Sequence, residues 1–155
     1  WPLEVHVFCY LVNRISGNLT EDDIKLIVNE FCKSNVPLQF FSNDFYDRFV
    51  ESSMFYLKKF IGIDRETVIK TLITYWNTWD SYSNSIMTIH ILGRIFKKYV
   101  HKNKMLISLV ELLVTNISPD PELRLSPEES IKEFNKCFRM VEDTNSYTDL
   151  ISDFR

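Results

Sequence analysis

Glycine and proline are scarce in this 155-residue chain, at 3 and 5 residues. Few chain-reversing turns are therefore available, and apolar residues recur at helical rather than alternating spacing, so the pattern predicts a nearly all-helical protein. Cysteine is scarcer than a disulfide framework requires: Cys9, Cys32 and Cys137 are odd in number, far apart and without a Cys-x-x-Cys pair. That excludes a zinc-finger pattern and favours reduced, buried, inert thiols in an intracellular, cytoplasmic setting. No apolar run approaches the roughly 18 residues of a membrane span, and no signal peptide is visible. A formal net charge of -3 provides no general attraction to nucleic acid or to an anionic membrane. Trp1-Pro2 in place of an initiator Met reads as the start of a fragment with sequence upstream.

What is present is apolar and aromatic. Hydrophobic residues make up 45% of the chain and charged residues 25%, enough apolar surface for one domain with a real core. A first helix is expected over Leu3 to Arg14, stopped by Ser16-Gly17-Asn18. Thr20 is placed to cap a second, with Glu21, Asp22 and Asp23 in its first turn and Ile24, Ile27, Val28 and Phe31 on one face. Ser42 or Asn43 caps a third carrying Phe45, Phe49, Tyr56 and Phe60, closed by Gly62, and Asp64 caps a fourth with Val68, Leu72, Tyr75 and Trp79 inward. Phe40-Phe41, beside Pro37 in an expected loop, is a candidate partner contact; a loop pinned to the core is the competing reading.

Further on, Asp80 opens a helix holding Ile86, Met87, Ile89, His90, Ile91 and Leu92, apolar nearly all round and so expected to be buried on most sides. The basic run from Lys97 to Lys104 could dock an acidic substrate or phosphate, but a solvated helix end explains it without function. Met105 to Asn116 is amphipathic. Ser126, Pro127 and Glu129 form a capping box for a helix with Ile131, Phe134, Cys137 and Phe138 inward, and Thr144-Asn145-Ser146 can begin a last short helix to Phe154.

Three motifs carry chemistry by their order. Pro2-Leu3-Glu4 resembles a degenerate Ala-Pro-Glu motif. Trp79-Asp80-Ser81-Tyr82-Ser83 resembles the Asp-x-Trp-Ser opening of a long central helix, with Tyr82 and Ser85 where Trp and Gly are usual. Asp120-Pro121-Glu122-Leu123-Arg124-Leu125-Ser126-Pro127-Glu128-Glu129 reads Asp-Pro-x-x-Arg-Leu-Ser-Pro-Glu-Glu. Together they resemble the C-terminal lobe of a divergent eukaryotic-type Ser/Thr protein kinase, and the phrasing is similar to kinase-like proteins of large DNA viruses. The resemblance implies an all-α, kinase C-lobe-like domain over residues 1–155. Within it, residues 19–78 would be a helical insertion between the Ala-Pro-Glu-like motif and the central helix, 79–139 the central helix and its successors, and 140–155 an extension.

The same resemblance implies roles for three residues. Glu4 would form a buried ion pair with Arg124, 120 positions away, anchoring the activation segment. Asp80 would accept backbone N–H groups of the catalytic loop, so an upstream kinase segment or another chain should pack beside it. None of the phosphoryl-transfer motifs is present: there is no Gly-rich phosphate loop, nucleotide-binding Lys, His-Arg-Asp or Asp-Phe-Gly. The chain therefore supplies no catalytic residue and no metal site. ATP and magnesium are expected only for the full-length protein, if active, acting on a protein substrate. The alternatives are a pseudokinase or kinase-derived interaction module, associated with a complex or a virus particle, and an unrelated helical adaptor that matches Asp-Pro-x-x-Arg by chance.

Overall fold

The computed structural model describes residues 1–14, 17–95 and 104–139, with nothing assigned to the side chains of 138 and 139. Among the described residues there are seven α-helices and no strand. They are α1 Leu3–Asn13, α2 Glu21–Ser34, α3 Asn43–Lys58, α4 Arg65–Ile73, α5 Trp79–Ile95, α6 Lys104–Asn116 and α7 Pro127–Arg139. The expected final helix to Phe154 and the basic residues 97–103 lie outside the described residues; Lys104 opens α6.

Caps fix most of the boundaries. Thr20 Oγ1 accepts from Asp23 N while Asp23 Oδ2 accepts from Thr20 N, a reciprocal box that satisfies two donors at the start of α2. Ser42 and Asp64 accept from Phe45 N and Thr67 N at the starts of α3 and α4. A second box joins Ser126 and Glu129 before α7. After α3 the chain turns at Gly62, whose φ of +78° is in the left-handed region that a side chain would strain.

The core runs through the whole chain. Leu3, Val7 and Leu11 of α1 meet Ile24, Val28 and Phe31 of α2, Phe49, Tyr56 and Leu57 of α3, Val68 and Leu72 of α4, and Tyr82 and Ile89 of α5 in one buried cluster. Residues 19–78 therefore contribute to the same core as α1 and α5. Their helices cover α1 and build the centre, because α2 packs against α3 and α1, and α4 packs against α1. The α5, α6 and α7 helices stack in series on the other side.

Three expectations about faces are corrected. The α5 helix leaves one stripe in solvent: Ile89 and Leu92 are inward and Ile86 packs against the core, but Met87 and Ile91 are 58% and 47% exposed. In α7, which packs against α6, Cys137 is buried while Ile131 and Phe134 stand exposed. Finally, Cys9 is exposed rather than buried, on the outer face of α1.

Candidate functional site

Two chain segments meet at the most enclosed polar site among the described residues. Pro2 precedes α1 with extended backbone, so Glu4 falls in the first turn and points into the core, fully buried. At the other end, Asp120 accepts from Glu122 N and starts the single 3-10 turn Pro121–Leu123; Arg124 follows it in extended conformation, 8% exposed. The guanidinium grips the carboxylate as a fork, with Nη1 donating to Glu4 Oε1 at 2.5 Å and Nη2 to Oε2 at 2.9 Å. Two parallel charge-assisted bonds fix both planes, which a lysine would not do.

The rest of the guanidinium is also provided for. Arg124 Nε donates to the Ser118 carbonyl at 2.8 Å, and Nη1 also reaches Thr78 Oγ1 at 3.3 Å. The Tyr82 ring lies against the guanidinium, 4.9 Å from Cζ to the ring centroid, and Asn35 Nδ2 donates to the Tyr82 hydroxyl at 3.3 Å. Burial pushes the Tyr82 phenol well above its ordinary range, so it stays a neutral ring beside the cation. Nearby, Tyr75 donates to Glu122 at 2.7 Å, and burial first, then that bond, raise the Tyr75 phenol to about 12. A buried charge needs this degree of satisfaction, because removing any partner strands the others in low dielectric. Such an arrangement is an architectural clamp, in which the two charged groups are committed to each other.

Of the sequence-predicted residues, the structure brings Glu4 and Arg124 together and leaves Asp80 apart from them. Asp80 is exposed in the first turn of α5. It heads a solvent-facing stripe at helical spacing, Asp80, Asn84, Met87, Ile91 and Ile95, polar at its start and apolar beyond. Beside it the Trp79 indole Nε1 is buried without a hydrogen-bond partner. Phe40 and Phe41 are half-buried and packed inward, as in the reading of a loop pinned to the core. Phe41 stacks on Phe45 at 4.3 Å, while Phe40 meets His90 edge-on at 5.7 Å and fills the space above Gly93.

Sequence reasoning missed Thr78, Asn35 and the role of Tyr82. The one signal for them was the Tyr in the motif position usually held by Trp, since only the Tyr ring carries a hydroxyl for Asn35 to hold. A second missed cluster joins α1 to α2. Tyr10, Arg14 and Thr20 all donate to Asp23, and although burial opposes its ionisation, these bonds hold its carboxyl well below the usual carboxylate range. This cluster flanks an open cleft of about 400 Å³ lined by His6, Cys9, Tyr10, Asn13 and Arg14. A second groove of about 390 Å³ lies between α3 and the turn before Arg124, lined by Phe45, Phe49, Val114, Pro119 and Leu123. No group of three or more His, Cys, Asp or Glu among the described residues could hold a metal ion, and no described helix is long and apolar enough to cross a membrane.

No protein-family model matches the chain, and no curated protein or solved structure does either.

Proposed function

We propose that this chain is the C-terminal lobe portion of a Ser/Thr-type protein kinase, in which Glu4 and Arg124 anchor the activation segment and Asp80 receives the catalytic loop. The observation that carries the reading is the buried Glu4–Arg124 fork, joining residues 120 positions apart. Those two positions are the ones that the Ala-Pro-Glu-like and Asp-Pro-x-x-Arg motifs single out. Buried Arg–Glu pairs are costly to assemble, so a chance match of both motifs is a poor source of one.

The α5 stripe supports the same reading from another side. Asp80 is an exposed carboxylate at a helix start, without a partner among the described residues, and is followed on the same face by Met87, Ile91 and Ile95. A segment with free backbone N–H groups and an apolar flank, from the same polypeptide or another chain, would satisfy both. ATP, magnesium and the catalytic base are then held by residues outside this chain, and its own contribution is to hold the loops around them.

The test is a phosphotransfer assay on the full-length protein with magnesium and ATP, comparing wild type with Asp80→Asn. Among the described residues Asp80 makes no side-chain hydrogen bond, so the substitution should change the melting temperature little. It should lower kcat by about tenfold or more, the scale of a misplaced catalytic loop. A folded full-length protein with no phosphotransfer would overturn the enzyme reading in favour of a kinase-derived scaffold.

A further inference from the structure

The polar cluster reaches past the ion pair into the 19–78 stretch. Asn35, at the end of α2, is pinned through its backbone: its N–H donates to the Cys32 carbonyl at 3.3 Å, and its carbonyl accepts from Leu38 N at 3.0 Å. Its side chain donates to the hydroxyl of Tyr82, which is 1% exposed. The 3-10 turn that follows, Val36–Phe40, lies along α5 and ends with Phe40 over Gly93. Residues 35–40 thus form a strap touching α5 at its second turn, through Tyr82, and again near its C-terminal end.

We propose that Asn35 is a positioning residue for the Glu4–Arg124 pair, acting through the Tyr82 hydroxyl. A two-bond fork holds only while guanidinium and carboxylate stay coplanar, and the group that sets the guanidinium from the side is the Tyr82 ring. The ring is in turn held at its far end by one donor, Asn35 Nδ2. Because the Asn35 backbone is fixed by the close of α2, that donor transmits the position of α2 to the clamp. The inference rests on the kinase reading above and deepens it: the stretch that sets this chain apart from the family pattern takes part in anchoring the activation segment.

Two measurements on the full-length protein test it and separate it from the kinase reading. The first follows hydrogen exchange at Arg124 Nε–H by ¹⁵N NMR in Asn35→Leu, whose side chain neither donates nor accepts, and in Tyr82→Phe, which keeps the ring and removes one oxygen. Exchange should quicken by about tenfold or more in both, as expected for a locally loosened group, with the melting temperature little changed. The second is phosphotransfer, where the same variants should lower kcat and leave the KM for ATP unchanged. Unaltered Arg124 exchange in a folded Tyr82→Phe protein would overturn the proposal, whatever the activity. Quickened exchange in a protein whose wild type transfers no phosphate would uphold the positioning role and remove the kinase reading instead.

Discussion

At the scale of single residues, stability concentrates in two charged clusters. Glu4→Ala or Arg124→Ala leaves a buried charge without its partner and should cost about 3 to 5 kcal/mol in urea unfolding. Replacing both with apolar residues of similar size, Glu4→Leu with Arg124→Met, should recover most of that loss, since no orphan charge remains. Asp23 gives a pH signature. Its folded pKa is depressed, so its contribution is fully present above the ordinary carboxylate value of about 3.9 and fades as pH falls towards the folded value. The stability gap between wild type and Asp23→Asn should accordingly be widest near neutral pH and narrow below pH about 4 in urea titrations. Cysteine reactivity belongs to the same scale: Cys9 is exposed, whereas burial pushes the Cys32 thiol up to about 11.

Among the elements, the Val36–Phe40 turn crosses α5 closely at Gly93. A Cβ on Gly93 would fall well inside contact distance of the Phe40 ring, so Gly93 is required by the approach of another element rather than by its own backbone angles. Gly93→Ala should destabilise the protein by about 1 to 3 kcal/mol, the usual cost of overpacking. Adding Phe40→Leu should relieve part of it, and a double-mutant cycle on thermal unfolding reads the coupling directly. A result in which Gly93→Ala is neutral would show that the turn can lift away from α5 freely.

For the whole molecule, the decisive question is whether residues 19–78 can be removed. They supply Ile24, Val28, Phe31, Leu38, Phe49, Tyr56, Leu57, Val68 and Leu72 to the same core as Leu3 and Tyr82. Replacing residues 19–62 with a short flexible linker should therefore abolish cooperative unfolding and disperse no amide signals in an NMR spectrum, because α1 would lose α2, α5 would lose the Val36–Phe40 turn, and the shared core would lose the apolar residues of α2 and α3. A shortened chain with a sharp thermal transition would restore the picture of a separable insertion.

How much of this was legible follows from the range of the forces. Thr20, Ser42, Asp64 and Ser126 are readable as caps because a cap is a contact between residues three apart. The inward residues of α2 are readable because one helix face repeats every three to four positions. Periodicity alone cannot say which apolar face will find a partner: α5 and α7 carry more apolar residues than the fold covers, so Met87, Ile91 and Ile131 stand exposed. Motif order pointed to Glu4 and Arg124 across 120 residues, but motif order could not supply Thr78, Tyr82 and Asn35 around them. By itself the sequence determined the helical class, the caps and the candidate ion pair, which depend on local spacing and on recognisable phrases. Only the tertiary structure decided that residues 19–78 are core and that Asn35 reaches the clamp, because those facts arise from packing between segments whose spacing along the chain carries no signal.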